Sequence, residues 1–164
     1  MRVVTGLFNS PAAATSAVRS LESRGVGADQ ISLMASDSTK KEDFGIETKT
    51  KVGEGAAIGA GLGGAVGALL AGLTTVGAIA SGGIGLIAAG PLVAALAGAG
   101  AGAATGGVIG SLVGLNIPEN EIKFFQDALQ KGSVLVGVTC KDSDEQSLVR
   151  DAMKAAGAEK VANF

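Results

Sequence analysis

The stretch GAAIGAGLGGAVGALLAGLTTVGAIASGGIGLIAAGPLVAALAGAGAGAATGGVIGSLVGLNIP, residues 55–118, contains no Asp, Glu, Lys, Arg or His. It also contains no aromatic side chain, and 36 of its 64 residues are Gly or Ala. In a chain that is 17% charged, a gap of this length is not chance. Its surroundings must shield this long apolar run from water, so the segment restricts where the protein can reside.

Glycines recur every four residues in both halves of this segment. A four-residue step places them along one face of a helix, where they let another backbone approach closely, as in the small-xxx-small packing of apolar helices. We therefore predict helix packing and oligomerisation through two glycine ladders. Their members are Gly55, Gly59, Gly63 and Gly67 in the first ladder and Gly98, Gly102, Gly106, Gly110 and Gly114 in the second.

The segment is long enough for two membrane-length helices. Residues 53–75 and 91–115 could each form a helix of roughly 33–38 Å, which matches a hydrocarbon core of about 30 Å. The sequence thus predicts an antiparallel helical hairpin with its turn at 76–90. Ser81 is the only polar side chain of this turn, so the turn forms an apolar tip. The large side chains of the tip are Ile79, Ile84, Leu86 and Ile87.

Such helices need an apolar environment, because each interior glycine costs about 1 kcal/mol relative to alanine. One environment is a bilayer, in which the backbone must satisfy its own hydrogen bonds. The other is an assembly whose hairpins build a hydrophobic interior that holds lipid or other apolar material. Helix length suits both, and an apolar tip favours the second. A flexible low-complexity linker is the less favoured third interpretation, since flexible linkers are Gly/Ser-rich and polar.

Residues 1–36 predict a strand, a helix and a second strand. Ser10 followed by Pro11 is typical of a helix start, and Gly25 is typical of a helix end. Alternation of apolar side chains from Ile31 onward predicts the second strand.

The C-terminal flank also has the composition of an ordinary globular domain. A polar connector at 37–52 leads into the hairpin at 53–115, and residues 116–164 then predict a helix, a strand, a helix and a last strand. Pro118 indicates the start of the first helix, and Gly132 indicates its end. The run SVLVGVTC at 133–140 indicates the strand. A capping box of Ser143 and Gln146 starts the second helix, and Gly157 ends it.

Together the two flanks predict an α+β domain. Two βαβ halves commonly share one antiparallel sheet with helices on one face, which is the ferredoxin-like arrangement. The hairpin then leaves the domain after the second strand and returns before the third, so both of its ends lie on the same side of the domain.

Composition argues against several classes of function. A net charge of −2 with scattered Lys and Arg does not predict nucleic-acid binding. Cys140 is expected to be a buried, inert thiol, because the chain has no His to activate it. GAGLGG at 59–64 lacks the strand and the Lys-Ser/Thr of a phosphate-binding loop. We expect no enzymatic activity, no cofactor, and no catalytic or metal-binding residue. The N-terminal apolar run is too short for a convincing secretory signal, so a cytoplasmic location is expected.

Three stretches resemble a known family. They are VVTGLFNSPAAATSAVRSLESRGVGADQISLMAS at 3–36, IPENEIKFFQDALQKGSVLVGV at 117–138 and AAGAEKV at 155–161. They are similar to bacterial general-stress proteins related to the heat-induced stress-protein domain, which pair a small α/β domain with a Gly/Ala-rich apolar insert. The resemblance covers most of the chain and implies a stress-linked, non-enzymatic role in bacteria.

The sequence therefore predicts a stress-related structural protein that homo-oligomerises through a glycine-zipper hairpin. It would either associate with the inner membrane or form an assembly with a lipid-like interior. The expected partners are further copies of the chain and lipid or other apolar material, and no nucleic acid. The alternative is a regulatory module that senses a small ligand on the ferredoxin-like sheet. The sequence, however, shows no cluster of polar residues that could line a ligand pocket.

Overall fold

The computed structural model describes residues 2–36, 74–76, 86–90 and 119–163. The predicted element orders of both flanks are confirmed, and the polar connector at 37–52 lies outside the described residues. In chain order the elements are β1 (Arg2–Phe8), α1 (Pro11–Ser23), a short 3₁₀ helix (Ala28–Gln30), β2 (Ile31–Ser36), β3 (Thr74–Val76), β4 (Leu86–Ala89), α2 (Glu119–Gln130), β5 (Val134–Cys140), α3 (Ser143–Ala155) and β6 (Lys160–Asn163).

The start of α1 follows its sequence signal. Ser10 has extended backbone angles, and its Oγ accepts a hydrogen bond from the N–H of Ala13 at 3.2 Å. Pro11 occupies the first helical position, where the missing N–H would have no helical partner in any case. The predicted start of α1 is confirmed.

The start of α3 differs from its prediction by one residue. Asp142, rather than Ser143, is the N-cap, and its Oδ1 accepts from the N–H of Glu145 at 2.8 Å. The capping box predicted at Ser143 and Gln146 is therefore wrong. The physical reason is that Asp caps a helix as well as Ser does, and the chain already enters the helix at Ser143.

All three helices end in the same way. After α1, the N–H groups of Gly25 and Val26 donate back to carbonyl oxygens of the last turn at 2.9 and 3.1 Å, which is the Schellman pattern. This pattern needs a left-handed residue, and Gly25 has φ +90°. Gly132 and Gly157 take the same position after α2 and α3. The predicted glycine stops are confirmed.

The strands form one antiparallel sheet in the order β3-β4-β2-β5-β1-β6. Its long central pair is β1 and β5, with Val4 opposite Val138 and Phe8 opposite Val134. β1 and β2 each pair with β5 and lie on either side of it. The α+β class predicted from the flanks is thus confirmed.

One face of the sheet carries α1 and α3. Their apolar side chains, Leu21 and Met153 among them, pack against Phe8, Val136 and the other side chains of this face. The opposite face carries α2. The prediction of helices on one face is correct for α1 and α3 and wrong for α2. The reason is that β1, β2 and β5 are buried on both faces, so each face needs a cover.

The prediction for the middle of the uncharged segment is wrong in part. Thr74 and Thr75 were expected in the first helix of the hairpin, and Leu86–Ala89 in its distal tip. They lie instead in β3 and β4, and β4 pairs with β2. β-Branched residues favour strands, and the edge of β2 offers unpaired N–H and C=O groups that a passing strand satisfies.

Candidate functional site

The β2 edge of the sheet holds the middle of the uncharged segment. β4 runs antiparallel to β2, with Leu33 opposite Ala89 and Ser36 opposite Leu86. β3 then pairs with the outer side of β4. The two ladder-bearing stretches on either side of this β3–β4 pair are therefore joined through strands that belong to the domain.

Gly90 follows β4 at a point of close backbone contact. Its φ is +110°, a conformation that side-chain-bearing residues rarely adopt. A Cβ at this position would fall against the carbonyl oxygen of Ile31 and the Cα of Ser32, and 2.6 Å from the Ser32 Oγ. Only glycine lets the chain pass this close to β2. Gly90 thus fixes the place where the second ladder-bearing stretch leaves the sheet.

Few of the residues predicted to mediate packing are placed by the structure. Of the tip residues, Leu86 and Ile87 lie in β4, opposite Ser36 and Ala35. Ile79 and Ile84, the other two tip residues, lie outside the described residues, as do all nine ladder glycines. Packing through the ladders therefore stays a prediction.

The adjacent phenylalanines of α2 have different surroundings. Phe125 is 2% exposed and packs with Leu129 against Leu7 and the other large apolar side chains of this sheet face. Phe124 is 39% exposed, and the Lys160 Nζ lies 4.9 Å from its ring centroid. Phe125 is therefore the core ring of this pair, and Phe124 is the outward ring.

The same face contains a buried hydroxyl without a partner. Thr5 is 3% exposed, and among the side chains that the structure describes its Oγ1 is the buried polar atom that makes no hydrogen bond. Its neighbours across the sheet are Gly137 and Ala162, neither of which offers a side-chain partner. No sequence signal pointed to Thr5, because a Thr within a strand is ordinary.

Thr5→Val is expected to stabilise the protein by about 1 kcal/mol, since it removes an unsatisfied hydroxyl and keeps the branched shape. The measurement is the midpoint of urea unfolding. Thr15→Val is the matched control, because Thr15 is also buried but has an interaction partner. The control should gain nothing. A loss of stability in Thr5→Val would show that the hydroxyl is used.

A polar network joins the start of β2 to the start of α3. Gln30 is buried, and its Nε2 donates to the carbonyl oxygen of Thr139 at 3.0 Å and to the Glu145 Oε1 at 2.9 Å. The Glu145 Oε2 accepts from the backbone N–H of Lys141 at 2.6 Å. The side chains of Gln30 and Glu145 therefore connect the N-terminal and C-terminal parts of the domain through hydrogen bonds. No local sequence signal predicts this pair, because its members lie 115 residues apart in the chain.

Cys140 lies beside this network, and its thiol is unreactive. Its thiol is buried and donates to the Val138 carbonyl oxygen at 3.7 Å. Burial, and then the negative charges of Glu145 and Asp142, raise the pKa of the Cys140 thiol to about 11. A thiol with such a pKa stays protonated at neutral pH and is a poor nucleophile. This agrees with the inert thiol expected from the sequence.

Within residues 2–36, 74–76, 86–90 and 119–163, no group of three or more His, Cys, Asp or Glu residues is arranged to hold a metal ion. In that same part of the chain, no helix is both long enough and apolar enough to cross a bilayer.

No protein-family model, no curated protein and no solved structure matches this chain. The resemblance to general-stress proteins therefore stays a prediction from the sequence. The candidate site is accordingly defined by geometry alone: the β2 edge with β4 and Gly90, and the sheet face that carries α2.

Proposed function

We propose that this chain is a non-enzymatic structural protein whose α/β domain holds an apolar segment through which copies associate. The observation that carries the proposal is the attachment of β4 to β2 in the middle of an uncharged, glycine-laddered segment. Because β4 pairs with β2 near the middle of the segment, the two glycine ladders belong to separate stretches of chain, one before β3 and one after β4. Each stretch has an apolar face for another copy and an uncharged surface for lipid or other apolar material.

The domain itself is proposed to be ferredoxin-like. β1 and β2 lie on either side of β5, and β5 and β6 lie on either side of β1. Each βαβ unit is thus split by one strand of the other unit, which is the interlocked topology of that fold. β3, β4 and α2 are additions around this four-stranded centre, contributed by the insertion and by the chain that follows it.

The environment of the segment is either a bilayer or the interior of a homo-oligomeric particle. An apolar tip favours the particle only if residues 76–90 form the far end of a hairpin. With Leu86–Ala89 paired to the domain, that preference loses its basis. A bacterial stress-linked role, and a cytoplasmic location with inner-membrane association, belong to the same proposal and rest on the sequence resemblance.

The test is to express the full chain without detergent, remove membranes by centrifugation, and size the supernatant by light scattering and negative-stain imaging. Large uniform particles in the supernatant support self-assembly around an apolar interior. Protein that stays in the membrane pellet, and that detergent but not salt or alkali releases, supports insertion. Monodisperse monomer in the supernatant would contradict the proposal.

Gly63→Leu is expected to lower the mass of the assembly at least about twofold, because a leucine side chain holds apart the backbones that a glycine ladder lets approach. Ala65→Leu adds the same side chain two residues further on, on the other side of a helix, and should leave the mass unchanged. Light scattering of both variants is the measurement. Equal loss in both variants would mean that the ladder has no special role.

A further inference from the structure

β6 is the last strand of the sheet on one side. Among the strands that the structure describes it pairs with β1 alone, with Gly6 opposite Val161 and Thr5 opposite Ala162. The outer side of such a strand presents backbone N–H and C=O groups that can pair with another strand. The edge of the sheet at β6 is therefore a place where the sheet can be extended.

Two common barriers to pairing at a sheet edge are missing from β6. Proteins often protect edge strands with proline or with lysine side chains that stand beside the edge. The sequence of β6 is KVAN, which contains no proline. Its charged side chain, Lys160, turns over α2, with its Nζ 4.9 Å from the ring centroid of Phe124 and 5.7 Å from that of Phe125. The lysine is thus held on a face of the sheet instead of beside the edge.

Apolar side chains on both faces of this edge are incompletely covered. On the face of α1 and α3, Val161 packs against the core but is only half-buried. On the opposite face, Phe124 is exposed beside the Lys160 ammonium. In the described part of the chain, the other exposed large apolar side chain is Leu148 on α3. A strand added beside β6 continues both faces of the sheet outward and gives Val161 and Phe124 further neighbours.

We propose that β6 pairs with β6 of a second copy, antiparallel, about a twofold axis perpendicular to the sheet. In a symmetric antiparallel pair one residue lies opposite its own copy. Centring the pair on Val161 places two β-branched side chains opposite each other, which stabilises neighbouring strands. Lys160 then lies opposite Ala162 of the second copy. Centring the pair on Lys160 would instead place two ammonium groups opposite each other, so charge disfavours that register.

The twofold axis keeps α2 of both copies on the same face of the joined sheet. The exposed Phe124 rings of the two copies then lie on that face and flank the joint between the β6 strands.

The strand pair is short, with four residues in each copy, and buries less area than a stable dimer needs by itself. The inference therefore rests on the proposed function, because association through the apolar segment holds copies together and raises their effective concentration at β6. It deepens that function by giving the α/β domain an interface of its own, in addition to the glycine ladders.

The test is disulfide crosslinking of the full chain with its single cysteine removed by Cys140→Ala. Val161→Cys places two thiols opposite each other in the proposed register, at a Cα separation that a disulfide spans. Asn163→Cys is the matched control, because it lies in the same strand and is more exposed. In this register the two copies of residue 163 are about 14 Å apart, which is too far for a disulfide. Under mild oxidation the Val161→Cys dimer should therefore form at least about tenfold faster than the Asn163→Cys dimer.

Comparable rates at the two positions would overturn the inference, since random collision favours the more exposed thiol. A Val161→Cys thiol that stays monomeric and is shielded from a water-soluble maleimide would also overturn it, because the β6 edge would then be covered by another part of the same chain.

A nitroxide label on Asn163→Cys gives a second readout that leaves Val161 in place. Two labels related by the twofold axis should show one narrow distance of roughly 20 Å, because their Cα atoms lie about 14 Å apart and the label arms add to this. Dilution with unlabelled chain should lower the amplitude of this signal and keep its distance. A broad distribution of distances would contradict the proposed pair.

The two proposals fail separately. If the mass of the assembly responds to Gly63→Leu but Val161→Cys crosslinks no faster than Asn163→Cys, the β6 pair is wrong and association through the ladders stands. If Val161→Cys crosslinks preferentially but Gly63→Leu leaves the mass unchanged, the β6 pair stands and the role of the ladders is wrong.

Discussion

Gly90→Ala is expected to release β4 from β2. The new Cβ would meet the backbone of Ile31 and Ser32, which cannot rotate aside as a flexible side chain can. The left-handed conformation adds about 1–2 kcal/mol, and the forced displacement adds about 1–3 kcal/mol. We therefore expect β4 to detach locally while the remaining strands keep their pairing.

Hydrogen exchange measures this release directly. The β2 amides that pair with β4 should exchange on the order of 100-fold faster, whereas those that pair with β5 should keep their protection. Gly25→Ala is the matched control, because Gly25 also has a left-handed backbone but a Cβ there would meet nothing within 4 Å. It should cost only about 1 kcal/mol and leave the β4 pairing intact. Equal protection of β2 in wild type and Gly90→Ala would show that β4 is held by something else.

Phe125→Ala is expected to cost about 3–5 kcal/mol, the range for removing a buried aromatic ring. Phe125 is the largest side chain that α2 contributes to the cluster with Leu7, Met34 and Leu135. Without it, α2 loses its main attachment to the sheet. Since α2 is where the uncharged segment returns to the domain, the variant should also loosen that return.

Phe124→Ala serves as the control for this experiment, one residue away in the same helix. Its ring is 39% exposed and contacts the Lys160 ammonium, so its removal should cost less than about 1 kcal/mol. The measurement is urea unfolding of both variants at matched concentrations. If both substitutions cost the same, the assignment of Phe125 as the core ring is wrong.

Local signals predicted the elements of the domain well. The Ser10–Pro11 start and the three glycine stops act within a few residues, and the structure uses each of them. The alternating or continuous apolar runs of β1, β2 and β5 were also visible in the sequence. The capping of α3 was displaced by one residue because two neighbouring residues, Asp142 and Ser143, are both good caps.

Features that depend on distant partners could not be predicted. Leu86–Ala89 is apolar throughout, so it has no period of two that would separate a strand from a helix, and its partner strand lies about fifty residues earlier. Gln30 has no local signal, since the groups it binds are more than a hundred residues away. The side of the sheet taken by α2 also depends on tertiary packing, which the pair Phe124–Phe125 alone does not reveal.

The strand order has a consequence for synthesis on the ribosome. β1 and β2 emerge first, but they do not touch each other, because β5 fills the place between them. β5 begins at Val134, almost a hundred residues after β2 ends at Ser36. At translation rates of about 5–20 residues per second, roughly 5–20 s pass before β5 can join β1 to β2. During this time β1 has no partner strand, and β2 can pair only with β4, which belongs to the uncharged segment. Exposed apolar strands are prone to aggregate, so we expect slower elongation after Ser36 to lengthen this interval and to increase aggregation of the nascent chain.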